Sequence, residues 1–169
     1  MDKIDETFIK QQIIKFMENK KDGNWHPEKT KNAGLHEHGP DIKLIGGKRN
    51  SEYFIIECKG KSYAKSPKSA KSANKEGWLN ALGQIITRMN TKKLTKSKED
   101  GKTITGINRA YKYGLGLYWV SAQVALRRIP KEIAQILNLY IFAINDKGEV
   151  RYFTPSQFGK DNYPDNIFK

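Results

Sequence analysis

The sequence predicts a mixed α/β (α+β) domain in which a central mixed β-sheet is flanked by helices. Three observations lead there: a helical apolar stripe over residues 2–20, short β-branched runs over 40–45 and 52–56, and a second helical stripe separating these runs from further strand-like segments. Helix and strand periods that alternate along one chain build layered folds. At 169 residues the chain fits one domain, 1–169, large enough to bury about two thirds of its unfolded surface without disulfides or structural metals.

In the first helix, Ile9, Ile13, Phe16 and Met17 form the apolar stripe. Pro40-Asp41-Ile42-Lys43-Leu44-Ile45 alternates apolar and polar residues before Gly46-Gly47, and Glu52-Tyr53-Phe54-Ile55-Ile56 is aromatic and β-branched, so the two read as strand, turn and strand. Asn74 is the expected cap of a helix running to about residue 90, with Trp78, Leu82, Ile85 and Met89 on its buried stripe. Tyr113 to Val120 is a nearly continuous apolar run, the pattern of a strand covered on both faces. Pro130 opens a short helix with Ile133, Ile136 and Leu137 on one side, and a terminal hairpin of 139–144 and 150–153 flanks Asp146-Lys147-Gly148. No internal repeat is visible.

The charge is the first functional signal. Lys and Arg number 31 against 18 Asp and Glu, a net charge of +13, which points to a polyanionic partner. Two basic stretches, at about 60–75 and 91–110, read as exposed loops. In the first, Lys61, Lys65, Lys68, Lys71 and Lys75 stand among Ser, Ala, Gly and Pro; it reads either as a solvated linker or as a clamp on a phosphate backbone. One cysteine excludes an intrachain disulfide and a multi-cysteine zinc site. With no apolar leader and no window approaching 18 apolar residues, a soluble, cytoplasmic protein without a membrane partner is expected.

The second signal is a set of acids and a base on neighbouring strands. Side chains at i and i+2 of a strand share a face, so Glu57 and Lys59 project together while Cys58 points the other way. Asp41 lies beside the adjoining strand. Magnesium prefers carboxylate and carbonyl oxygens with several retained waters, and Asp41, Glu57 and the backbone carbonyl of Cys58 supply such a partial cage. Lys59 would then orient a water or offset charge developing on a phosphodiester in hydrolysis.

Pro40-Asp41, a strand-length gap and Glu57-Cys58-Lys59 resemble the motif of the PD-(D/E)xK nuclease superfamily, and the order of elements extends the resemblance over most of the chain. It implies a restriction endonuclease-like core and a magnesium-dependent deoxyribonuclease, with manganese as a substitute ion. It also implies catalytic roles for Asp41, Glu57 and Lys59. The family often carries a further Glu on the helix before the sheet. At 100° per residue Glu6 lies within about 20° of Ile13 and so faces the core, although a first-turn acid favoured by the helix dipole is an equal reading; Glu28 and Glu37 compete for this place. Many members carry a Gln on the helix after the motif, which points to Gln84, with Arg88 one turn on as a nucleic-acid contact. Both also suit an ordinary helix flank.

His36-Glu37-His38 lacks a third ligand at zinc spacing, so a phosphate or water contact and a solvated loop are the remaining readings, and His26 has no resolvable role. Trp25 reads as a core anchor. Gly114 and Gly116 lack phosphate-loop spacing. Two function classes remain: a DNA endonuclease, restriction-type or structure-specific, and a noncatalytic nucleic-acid-binding module that retains the nuclease fold. Cutting both strands of a duplex with one small active site makes a homodimer reasonable.

Overall fold

Asp5 is extended and accepts a hydrogen bond from the Phe8 N–H at 2.9 Å, capping helix α1, Glu6–Glu18. The computed structural model describes residues 3–20, 23–28, 39–47, 51–89, 94–99, 102–107, 111–160, 163–164 and 166–169. Ile9, Ile13 and Met17 recur on one side of α1 and are fully buried. They meet Phe54, Ile56, Cys58 and Phe142 on one face of the sheet.

Among the described residues six strands form that sheet: β1 (His26–Pro27), β2 (Ile42–Gly46), β3 (Glu52–Lys59), β6 (Tyr111–Tyr118), β7 (Leu139–Ile144) and β8 (Val150–Phe153), in the order β1-β2-β3-β6-β7-β8. The pairs β1/β2, β2/β3 and β7/β8 are antiparallel, whereas β3/β6 and β6/β7 are parallel, so the sheet is mixed as expected. Parallel neighbours need a crossover, and helix α2 (Pro67–Arg88) lies in the one between β3 and β6. Trp78, Ala81 and Ile85 of α2, with Ala122, Ala125 and Leu126 of helix α3 (Trp119–Arg128), cover the second face over Ile55, Leu115 and Ile141. Trp25 is buried in the core on the α1 side, as its expected anchor role requires. Among the described residues no helix is long and apolar enough to cross a membrane.

The central strands carry their own packing constraint. A Cβ on Gly116 would stand 2.5 Å from Ile13 Cδ1 and 2.8 Å from Cys58 Sγ, so α1 reaches the sheet only because position 116 is bare. Gly116→Ala is expected to lower stability by about 1–3 kcal/mol, the usual cost of overpacking, measured as a fall in urea midpoint at unchanged slope.

Five local expectations are corrected. The segment 60–75 is a loop only to Ser66, whose hydroxyl caps α2 by accepting from the Ser69 N–H at 3.1 Å; Pro67 preorganises the first turn. Lys68, Lys71 and Lys75 therefore stand on a helix, and Asn74 is no cap: its side chain accepts from the Ser62 N–H at 2.6 Å and donates to the Ser62 carbonyl at 3.2 Å. The second basic stretch contains an antiparallel hairpin of β4 (Leu94–Glu99) and β5 (Lys102–Ile107), paired from Leu94↔Ile107 to Glu99↔Lys102. The apolar run of 113–120 ends as a strand at Tyr118, where α3 begins. Buried Ser121 and Gln123 interrupt the apolar stripe of α3, and each is hydrogen-bonded, Ser121 Oγ from the Trp78 N–H at 2.7 Å and Gln123 Nε2 to the Pro164 carbonyl at 2.8 Å. Finally, in the short helix α4 (Lys131–Ile136) it is Ala134 that is buried, while Ile133 and Ile136 face outward.

Candidate active site

The register of β2 on β3, Ile42↔Ile56 and Lys43↔Ile55, carries Asp41 to the position opposite Glu57. Alternation on β3 sends Phe54, Ile56 and Cys58 into the α1-side core, and leaves Ile55, Glu57 and Lys59 on the side of α2. Asp41 and Glu57 thus share a face. Asp41 Oδ2 accepts from the Cys58 N–H at 2.7 Å, which fastens the carboxylate to the strand that bears Glu57. In an extended strand the N–H and C=O of one residue point to the same edge, so the Cys58 carbonyl is directed toward the Asp41 side as well.

Each acid has a cation. Lys10 Nζ of α1 stands 2.6 Å from Asp41 Oδ1, Arg88 Nε of α2 lies 3.0 Å from Glu57 Oε1, and Lys59 Nζ donates to Glu6 Oε1 at 2.7 Å. Arg88 Nη2 also donates to the Gly39 carbonyl at 2.9 Å, tying α2 to the backbone just before Asp41. Glu6 reaches the cluster because β3 exits against the start of α1. A Cβ on Gly60 would lie 2.6 Å from the Asp5 carbonyl carbon, and the Lys61 N–H donates to the Ile4 carbonyl at 2.7 Å. Glu6 does not face the core as expected: its side chain is 45% exposed at the sheet end, where it pairs with Lys59.

The acids titrate in opposite directions. Burial raises the Glu57 carboxyl above its ordinary value, the neighbouring Asp41 carboxylate adds to the rise, and Arg88 offsets only part of it. Burial also pushes Asp41 up, but Lys10, the Cys58 N–H and Lys59 outweigh it and hold Asp41 below the usual carboxylate range. Lys10 is raised although burial opposes it, because Asp41 accepts its proton-bearing group. Burial lifts the Cys58 thiol well above its ordinary value, with the Asp41 charge second, so Cys58 is an inert core residue.

No protein family, curated protein or solved structure matches this chain.

Among the described residues, no three His, Cys, Asp or Glu side chains are grouped to hold a metal. The donor set available is Asp41, Glu57 and the Cys58 carbonyl, all oxygen, which suits a magnesium ion that keeps several waters. Glu57, buried and with its carboxyl raised chiefly by burial, adds to that fit.

The other candidates divide. Gly77 lies against Ser121 Oγ, with Lys59 Cβ 3.8 Å from where its own Cβ would be; its row continues through Ala81 and Gln84 to Arg88. Gln84 is exposed on that row, one turn before Arg88. Arg88 faces the acid cluster through its hydrogen bond to Glu57. Glu28 pairs with Lys43 at 2.5 Å, away from Lys59, whereas Glu37, His36 and His38 lie outside the described residues. His26 is exposed, its Nδ1 3.1 Å from the Asn24 carbonyl. Lys65, Lys68, Lys71 and Lys75 are exposed on the Ser66 side of α2, outside the acid cluster. Lys61 is paired with Asp146 at 2.7 Å, and Tyr118 donates to the other oxygen of Asp146 at 3.0 Å.

Lys10 is the residue that sequence reasoning missed. Its helical angle places it with solvated Gln11 and Lys15, yet a long lysine stem spans from the helix flank to a strand end. Only the pairing of Asp41 with β3 reveals the acid waiting there.

Proposed function

We propose that this chain is a metal-dependent DNA endonuclease with a restriction endonuclease-like core of the PD-(D/E)xK kind. The observation that carries this reading is the convergence of Asp41, Glu57 and Lys59 at one end of β2 and β3, with Glu57 almost wholly buried and raised. The order helix, antiparallel meander, helix, parallel strand also suits that core. The +13 charge favours a polyanionic substrate.

In this proposal Asp41, Glu57 and the Cys58 carbonyl hold magnesium, or manganese in its place. The bound ion supplies polarisation of a phosphoryl oxygen and a lowered pKa for a coordinated water. Lys59, held by Glu6 beside the acids, orients the attacking water and offsets negative charge growing on the phosphoryl oxygens. Arg88, beside the acids, would offer a phosphate the planar fork of donors of its guanidinium. Lys65 and the lysines of α2 track the flanking backbone. Cutting one strand requires one copy of the site, and cutting a duplex through requires two.

One observation favours the noncatalytic nucleic-acid-binding module. Lys10, Arg88 and Lys59 already balance Asp41, Glu57 and Glu6, so the cluster is neutral without a metal. The two readings part on incubation with supercoiled plasmid, single strands and branched DNA. The nuclease cuts at least one of them in magnesium and none in chelator; intact substrates throughout reject it.

The pH profile gives a sharper check. As pH falls, Glu57 takes up a proton first, because its carboxyl is raised, while Asp41 stays charged. Cleavage is expected to fall on an acid limb centred above the ordinary glutamate range, and higher magnesium should move that limb to lower pH by competing with the proton. A limb at the ordinary carboxylate value, unmoved by magnesium, would show that Glu57 does not bind the ion.

A further inference from the structure

The loop between β3 and α2 is fastened at both ends. On one side the Lys61 N–H donates to the Ile4 carbonyl at 2.7 Å; on the other, Asn74 of α2 holds both backbone groups of Ser62. Between these anchors and the helix cap at Ser66 stands Tyr63, one of the large side chains left in solvent, 52% exposed. Its hydroxyl accepts from the Ile4 N–H at 2.8 Å, so the ring is fixed at its tip while much of its surface stays open. Lys61 Nζ lies 5.9 Å from the Tyr63 ring and 5.0 Å from that of Tyr118, held there by Asp146.

A single exposed aromatic is ordinary on a protein surface; what sets Tyr63 apart is that its hydroxyl is pinned while its ring stays open among lysines. Tyr63 is neither core nor freely mobile, since three segments set its position: the start of α1, the exit of β3 and α2. The segment preceding Glu6 that anchors Tyr63 leads directly into the helix whose Glu6 pairs with Lys59. Tyr63 follows Lys59 by four positions, at most about 14 Å of extended chain. The surroundings suit a polyanion. Lys65 and Lys68, two and five positions after it in the chain, are exposed, and the first turn of α2, which begins at Pro67, contains no acid.

We infer that Tyr63 is a stacking platform for an unpaired base of single-stranded DNA, with Lys65 and Lys68 receiving the adjoining phosphates. In a duplex both faces of each base are covered by neighbours, whereas an unpaired base presents its face to an aromatic ring. The inference rests on the nuclease reading and gives it a substrate class: DNA with a single-stranded stretch entering beside the acids, chosen by structure and not by base-edge contacts.

The test uses binding without metal, so that it does not depend on cleavage. Fluorescence anisotropy in chelator is measured for a labelled single-stranded 20-mer and for a blunt duplex of the same sequence. Tyr63→Ala is expected to weaken single-strand binding roughly ten- to hundredfold, the range for loss of one stacked base, and to change duplex binding little. Tyr63→Phe loses the bond to Ile4 but keeps the ring, and should bind within about threefold of wild type, as should Tyr63→Trp. Single-strand binding by Tyr63→Ala at wild-type strength overturns the inference. So does a loss by Tyr63→Phe as large as that of Tyr63→Ala, or equal weakening on both DNA forms. Should Tyr63→Ala fail to fold, Tyr63→Leu replaces it with apolar bulk and no ring, and the same outcomes decide. Failure of the nuclease reading shows separately, as absence of magnesium-dependent cleavage by wild type.

Discussion

Asp41→Asn is expected to reduce magnesium-dependent DNA cleavage by about a thousandfold or more, the scale of removing a metal-held charge from a phosphoryl-transfer site, while DNA binding in chelator stays near wild type. Asparagine keeps an oxygen that can accept the Cys58 N–H bond now 2.7 Å long, so β2 and β3 stay joined. What it loses is the negative charge that faces Lys10 and that a magnesium ion would need. Folding responds modestly and with a definite sign. The Asp41 carboxyl is held below its unfolded value, so the stability it contributes is present above the ordinary aspartate range and is lost as pH falls through the depressed folded value. Asp41→Asn should accordingly be less stable than wild type at neutral pH and approach it in acid, as read from urea midpoints. Lys59→Ala should give a comparable loss of cleavage by a different route, leaving the carboxylates to bind the ion. Undiminished cleavage by both variants would reject the catalytic assignment.

Arg88→Ala is expected to destabilise the fold by about 2–4 kcal/mol at neutral pH, since removing one partner of a buried pair leaves the other charge uncompensated. Glu57 is the partner left behind, 3% exposed and already raised by burial, whereas the arginine itself is partly in solvent. A raised carboxyl favours the native state below its unfolded value and loses that advantage as pH rises through the folded one. The deficit of the variant should therefore shrink as pH falls and Glu57 becomes neutral. Magnesium offers a second way to relieve the same charge. In millimolar magnesium Arg88→Ala should regain stability through mass action, with a larger gain than wild type shows. Equal gains in the two proteins would mean that the ion does not bind at Glu57.

Much of the scaffold was legible because it depends on local rules. The stripe of Ile9, Ile13 and Met17, the alternation of β2, and the turn residues Asp146-Lys147-Gly148 before β8 each express one period or one turn chemistry, and each matches its element. The sharing of a face by Glu57 and Lys59 follows from strand parity alone. Where reading failed, a distant partner decided the outcome. Helix α3 carries Ser121 and Gln123 on its buried side, where Trp78 and Pro164 supply their hydrogen bonds, so no clean apolar stripe announces it. Ile133 and Ile136 have the spacing of a buried stripe, yet Ala134 faces the core of so short a helix. Asn74 has the chemistry of a cap, but Ser62 claims its side chain, and the helix begins earlier on Ser66-Pro67. Lys10 belongs to the same class, because a lysine on a helix flank acquires its role from a carboxylate 31 positions later.

Strand β3 ties the folding code to the chemistry through parity. Odd positions 55, 57 and 59 face α2, and even positions 54, 56 and 58 fill the α1-side core. A slip of one residue along the strand would exchange the two sets, driving the Glu57 carboxylate in among Ile9 and Ile13 and turning the Cys58 thiol toward Arg88. Such a mispaired chain would be both unstable and inert. The signal that guards correct pairing is thus the same alternation that places the acids, and loss of the charge cluster would be the earliest sign of a chain folded out of register.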